Sequence, residues 1–186
     1  NIGYIGITQF DETTGQDFIK SINELQAKGI EGLIVDLRGN PGGVLEAAVE
    51  ISDALLPEGK IVYAKNREGK EVISYNSDPR SVDLPMVVLI NKGSASASEI
   101  VSGAIKDYGR GLLIGETTFG KGVVQTVTKI PGGGGLKLTT SEYFSPNGVN
   151  IDGKGIEPDM EVKLAEGAKG IGVEHRDEDN QLQAAI

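Results

Sequence analysis

The 186-residue sequence has no cysteine and no tryptophan, a single histidine, and aromatic residues at only 5% of positions. Without cysteine there is no disulfide, no thiolate zinc site and no cysteine nucleophile. The same absence fits any compartment and permits an oxidising one. With so few aromatics, aliphatic side chains and alanine must fill the core. Basic clusters are missing, and the formal net charge is −9. That argues against a nucleic-acid groove and against an anionic membrane surface as partner. No apolar run is long enough to span a bilayer. No spacing of His, Asp and Glu suggests a metal. The sequence opens on Asn1 without an initiator methionine or a signal-peptide pattern, and the strand pattern starts almost at once. The expectation is a piece of a longer protein.

What remains is the composition of a soluble globular domain, 38% hydrophobic and 24% charged, with enough residues for one real core. The 27 glycines imply many tight turns or close backbone approaches.

Residues 2–10, IGYIGITQF, alternate as a strand, and Thr14 can cap a helix to about Lys28 that carries Phe18, Ile19, Ile22 and Leu25 on one face. LIVDL at 33–37 is a short apolar run of the kind buried parallel strands show. A glycine-rich turn, 38–43, precedes a helical pattern over 44–56. Residues 61–64 and 72–75 read as a hairpin. The strand at 86–90 feeds a Ser-Ala-Ser-Ala-Ser run and then a helix with Ile100, Val101, Ala104, Ile105 and Tyr108 on one face. A strand follows at 112–115, then two more at 123–130 and 136–144, joined by Pro131 and four glycines. Residues 145–158 are turn-rich. Residues 165–180 are polar, with 174–179 mostly charged, and read as a solvated linker or end; Leu182–Ile186 is the stub of a helix. Strand–helix alternation over the first two-thirds predicts an α/β class, with helices on a mostly parallel sheet and a β-rich C-terminal part. The division expected is one core domain at 1–164 and a polar tail at 165–186.

Three stretches can carry chemistry. The serines Ser94, Ser96 and Ser98 stand before a helix, where free N–H groups and the dipole favour negative charge. A simple N-cap is the bland account of the same residues. As nucleophiles they would need a base. His175, the one histidine, lies in the charged tail, which argues against a Ser-His-Asp arrangement. A lysine made neutral by burial can serve instead, and Lys121 sits between two glycines beside apolar sequence. The Gly39–Gly43 turn can offer a pair of N–H groups to an oxyanion, or can simply need glycine dihedrals. Asp36 within its apolar run reads as a structural acceptor; Asp107 is open between a solvated face and a buried partner. GETTFGK at 115–121 imitates a phosphate-binding loop, but the next residue is Gly122 and a strand pattern follows, so nucleotide binding is not expected.

The pieces IGYIGITQF, DLRGNPGG, NKGSASASEI, DYGRGLLIGETTFGKGVVQ and GKGIEPD, in that order over roughly residues 2–164, closely resemble the protease core of the carboxyl-terminal processing peptidases, or tail-specific proteases. The resemblance implies a ClpP/crotonase-like fold and a serine endopeptidase with a Ser–Lys dyad. It implies Ser96 as nucleophile, Lys121 as general base and Gln125 as a supporting residue. The oxyanion hole would use the N–H groups of Ala97 and of a glycine in the NPGG turn, chosen here as Gly43 over Gly42. Asp107 of the DYGR motif would be structural. No metal or organic cofactor is implied. The expected partners are protein or peptide substrates, with a peptide-binding PDZ domain in the longer protein and a homo-oligomer possible; nucleic acid is not expected. The family's location implies an extracytoplasmic, periplasmic or envelope-associated setting. A second expectation stands beside this one: an isolated core that is catalytically incompetent and serves as a peptide-binding or scaffold module. Crotonase-type acyl transfer would share the oxyanion turn but gives Lys121 and Gln125 no role.

Overall fold

Three apolar runs set the architecture, because strands that are hydrophobic on both sides must be covered on both faces. The computed structural model describes all 186 residues. Its first sheet is parallel and five-stranded, in the order β1 (Ile2–Gly6), β2 (Gly32–Asp36), β5 (Met86–Ile90), β6 (Leu112–Gly115) and β9 (Met160–Glu161). Side chains alternate across it with the two-residue period of a strand. Leu33, Val35, Val88, Ile90 and Leu113 point into the main core. That face is covered by α1 (Thr14–Ala27), α2 (Leu45–Leu55) and α3 (Ala97–Asp107), which pack side by side. Phe18, Ile22, Ile51, Leu55, Val101 and Ile105 supply their buried sides.

The intervening residues Ile34, Leu89 and Ile114 point to the opposite face, against Leu182 and Ala185. Those two belong to α4 (Asn180–Ala185), which packs on β5 and β6. The helix stub expected at 182–186 is present, and the reading of 174–179 as a wholly solvated charged run is corrected at its last residue. Glu174, Asp177 and Glu178 are exposed, but Asp179, Gln181 and Leu182 are buried. The tail closes the face that the apolar strands could not leave open. Burying one leucine in this way contributes about 1.5–3 kcal/mol.

The second sheet is antiparallel, in the order β4 (Glu71–Ser77), β3 (Gly59–Asn66), β8 (Gly135–Phe144), β7 (Val123–Lys129). Ile61, Val62, Ala64 and Tyr143 join it to the main core. The far end of the β7–β8 hairpin leaves Val127, Ile130, Leu136 and Leu138 exposed. The α/β reading, the mostly parallel sheet with flanking helices and the β-rich C-terminal part all hold. The first strand is shorter than the alternation suggests, ending at Gly6, with Phe10 making only a single bridge to Gly43.

Candidate active site

Adjacent parallel strands β2, β5 and β6 end side by side, and each releases a loop from its carboxyl end. This is where open α/β sheets form their sites. The loops are Leu37–Val44, Asn91–Ser96 and Glu116–Gly122. Hydrogen bonds knit them together. Asn40 is fully buried; its carbonyl accepts from Ala95 N at 3.0 Å and from Ser98 Oγ at 3.0 Å. Its side chain donates to the Ile7 carbonyl at 2.7 Å and accepts from Gly42 N at 2.8 Å. Asn91 Oδ1 accepts from both Gly39 N and Gly93 N, each at 2.9 Å.

The three serines separate at once. Ser94 is buried and donates to the Leu37 carbonyl at 2.8 Å. Ser98 is buried on Asn40. Ser96 is partly exposed; its Oγ faces the Glu99 N–H in the first turn of the helix, but the hydroxyl donates its proton to no protein group. It is also the chain's one non-glycine residue at positive φ, with φ 53° and ψ −111°, at the N-terminus of α3. A non-glycine residue in such a region carries about 1–3 kcal/mol of strain and persists only where its surroundings hold it.

Glu99 holds it. This fully buried carboxylate accepts four hydrogen bonds and donates none. Oε2 takes Ser96 N and Lys121 N, each at 2.8 Å. Oε1 takes Thr118 Oγ1 and Gly120 N, each at 2.6 Å. The backbone nitrogens of Ser96 and Lys121 therefore share one oxygen atom and lie within twice that bond length of each other. Thr118 Oγ1 in turn accepts from Ile156 N at 2.7 Å, which fastens the loop to the GKGIEPD segment. Neither Glu99 nor Thr118 stands out in a search for nucleophiles and bases. A signal for Glu99 is nonetheless present: Ser96–Ala97–Ser98–Glu99 is a Ser-x-x-Glu capping box, in which the glutamate reaches back to the N-cap backbone.

Two N–H groups beside Ser96 are without a protein acceptor. One is Ala97 N, in the first turn of α3, and the other is Gly43 N. Gly42 N is engaged by Asn40. Of the two glycines, Gly43 thus offers the open donor, while Gly42 supplies the close approach. A Cβ on Gly42 would lie 2.8 Å from Ser96 Cβ and 2.9 Å from Ala97 N. A Cβ on Gly43 would fall 1.9 Å from the Phe10 carbonyl oxygen. Both have positive φ, so glycine is required twice over.

Lys121 departs from expectation. It is exposed, not desolvated, because the loop that carries it lies at the mouth and nothing in the chain covers it. Its side chain is not hydrogen-bonded to Ser96 or to Gln125. Gln125 is also exposed, beside a register shift in β7. The structure brings the two backbones together and leaves the three side chains unpaired. The loop runs into β7 and not into a helix, which removes the phosphate-loop reading.

Asp107 is structural. Its carboxylate accepts from Asn147 N at 2.8 Å and anchors the turn after β8. His175 sits in a single turn of 3-10 helix in the tail. Asp36 is part of a buried cluster. Its Oδ1 accepts from Arg38 N at 3.0 Å and Arg38 Nε at 2.9 Å, and its Oδ2 accepts from Tyr4 Oη at 2.8 Å. Burial, with Asp36 beside it, pushes the Tyr4 hydroxyl well above its ordinary range.

Residues 1–162 match the model of peptidase family S41. A carboxyl-terminal-processing protease of Picosynechococcus is 41% identical over 186 residues, covering 100% of this chain and 44% of its own length. A chloroplastic C-terminal processing peptidase of Tetradesmus obliquus is 39% identical over 163 residues, covering 87% of this chain and 35% of that protein. Among solved structures, the photosystem II D1 C-terminal processing protease superposes with a TM-score of 0.83 at 38% identity, over 87% of this chain and 42% of that one. The chain thus spans less than half the length of these relatives, bacterial and chloroplastic alike. No helix is long and apolar enough to cross a membrane.

Proposed function

The chain belongs to peptidase family S41, and on that footing we propose that it is the catalytic core of a serine endopeptidase that cuts extended or unfolded protein tails. Ser96 is the nucleophile and Lys121 the general base. The observation that carries this reading is the state of Ser96: strained, partly exposed, its hydroxyl proton uncommitted, and flanked by the open N–H groups of Ala97 and Gly43.

In this mechanism a polypeptide lies in extended form across the mouth, as an added strand. Its arrival covers Lys121, which is exposed in the free chain, and desolvation favours the neutral amine. Lys121 Nζ then takes the Ser96 proton as Oγ attacks the carbonyl carbon. The oxyanion accepts from Ala97 N–H and Gly43 N–H. The intermediate collapses, the lysinium gives its proton to the departing amine, and an acyl-enzyme remains. Lys121 next takes a proton from a water as that water attacks the ester, and returns it to Ser96 Oγ as the acyl bond breaks, which regenerates both groups. Gln125 supports the lysine by accepting a hydrogen bond from its amine. These side chains and two backbone donors complete the chemistry without a further group.

In the longer protein, a PDZ domain that captures substrate termini and an extracytoplasmic setting fit this reading. The second reading, a peptide-binding core without turnover, is favoured by one observation: Ser96 and Lys121 are not hydrogen-bonded in the free chain. Incubation of an unfolded protein such as casein with the chain and with Ser96→Ala separates the two. Cleavage by the first alone supports the peptidase. Equal binding by both without cleavage supports the module.

A further inference from the structure

Four charged side chains are buried in this protein: Asp36, Arg38, Glu99 and Asp179. Glu99 joins the nucleophile to the Lys121 loop. The other three form one cluster that reaches the same site from behind. Arg38 and Asp179 are 141 residues apart in sequence and meet in a bidentate pair, Nη1 to Oδ1 at 2.8 Å and Nη2 to Oδ2 at 2.7 Å. Arg38 Nη1 also donates to Gln181 Oε1 at 2.9 Å. On its other side the guanidinium grips Asp36, with Nη2 to Oδ2 at 2.5 Å. All five side-chain N–H groups of Arg38 are thereby engaged, three by the tail and two by Asp36. Such fork-on-fork pairing sets direction as well as energy.

Asp179 does more than neutralise. Its Oδ2 accepts from Gly172 N at 2.7 Å and its Oδ1 from Leu182 N at 3.0 Å. The tail from 172 to 186 is folded around this one carboxylate, and the carboxylate is docked on Arg38. Arg38 in turn lies inside the loop that frames the nucleophile. The residue before it, Leu37, gives its carbonyl to Ser94 Oγ; two residues after it, Asn40 gives its carbonyl to Ala95 N and Ser98 Oγ. Any rotation of the Arg38 backbone moves the acceptors on both sides of Ser96, and with them Gly43 N.

We propose that Asp179 is a positioning residue for the peptidase reaction, acting through Arg38 to hold the Gly39–Gly43 turn in register with Ser96. The C-terminal segment is then part of the active-site frame and not only a cover for the second sheet face. The proposal rests on the peptidase reading, and its test has two arms so that the two can fail separately. Asp179→Ala removes the carboxylate. Leu182→Ala loosens the same helix through its contacts with the sheet and leaves the Asp179–Arg38 pair in place.

The first arm is amide spectroscopy of the isotopically labelled chain. Asp179→Ala should shift the signals of Gly39–Gly43 and Ala95–Ala97, whereas Leu182→Ala should confine its changes to the tail and the sheet face it covers. The second arm is casein cleavage below both unfolding midpoints. Asp179→Ala should lower kcat by about tenfold to a hundredfold, since small misplacements at a reacting centre cost that much, with KM nearly unchanged. Leu182→Ala should keep kcat near wild type. Signals at Gly39–Gly43 that stay unmoved in Asp179→Ala, or an equal kcat loss in the two variants, would overturn the proposal. If the unaltered chain cleaves nothing, the peptidase reading is what failed, and the amide shifts still decide the positioning.

Discussion

Exchanging Glu99 for glutamine alters one atom and one charge in a pocket where four donors converge. If the amide keeps its oxygen toward Ser96 N and Lys121 N, its NH2 group faces Thr118 Oγ1 and Gly120 N. The threonine hydroxyl can turn and accept. The Gly120 N–H cannot, so one backbone donor is left buried without a partner. The two bonds that survive on the oxygen lose their charge assistance. A buried unsatisfied donor costs about 1–3 kcal/mol, and a hydrogen bond to a charged group is worth about 1.5–3 against about 1 for a neutral one. The expected loss is about 2–4 kcal/mol, or about 4–16 °C in Tm for a domain of this size. Turnover should fall further than stability alone explains, because the same carboxylate holds Ser96 at positive φ and the Lys121 backbone beside it. Thermal unfolding by circular dichroism gives the first number. Casein cleavage at a temperature where both proteins are fully folded gives the second, with a loss of at least about tenfold expected. A Glu99→Gln protein with the Tm and turnover of the parent would refute the idea that this carboxylate ties nucleophile to base.

Three further outcomes follow from the same geometry. Ser96→Gly should raise Tm while abolishing cleavage, since glycine relieves about 1–3 kcal/mol of strain and loses only about 0.5–1 to its greater freedom when unfolded; a lower Tm would count against the strain. Gly42→Ala should destabilise by about 1–3 kcal/mol and cut turnover, because its Cβ would press on Ser96 Cβ at 2.8 Å and the Ala95 carbonyl at 2.7 Å; urea unfolding and cleavage assays check both. Burial opposes ionisation of the Asp179 carboxyl, but the Arg38 hydrogen bond and the Gly172 and Leu182 N–H groups outweigh it and hold the carboxyl below its ordinary range. A depressed carboxyl stabilises above its unfolded value, about 3.9, and loses that contribution as pH falls through its folded value. The stability gap between the parent and Asp179→Asn should therefore be steady from pH 7 to about 5 and narrow below about 4; urea titrations that show a constant gap to pH 2.5 would contradict it.

Much of this was legible in the sequence, and the exceptions have physical causes. Short apolar runs at 33–37 and 86–90 announce buried parallel strands, and the serine run before an apolar-periodic helix announces the turn that presents Ser96. The tail misleads because its exposed charges, Glu174, Asp177 and Glu178, surround the one charge that is buried. Only the need to cover Ile34, Leu89 and Ile114 on the far side of the sheet could have predicted its return. Lys121 misleads in the opposite sense. Its glycine and apolar neighbours suggest burial, yet Gly120 and Gly122 serve close backbone approach to residues 151–155, and the lysine side chain stays outside. Glu99 escapes notice because a capping box has a sufficient structural purpose. That it also binds the lysine loop depends on contacts about twenty residues away, to Thr118, Gly120 and Lys121, which no local pattern reveals.

The central claim is that Lys121 deprotonates Ser96. It is tested most directly by comparing casein cleavage by the parent chain and by Lys121→Ala, with folding of both verified by circular dichroism. Lys121 is exposed and makes no side-chain hydrogen bond, so its truncation should leave Tm nearly unchanged. The account predicts that the folded Lys121→Ala protein has no turnover. Cleavage by Lys121→Ala at the parent's rate would contradict it.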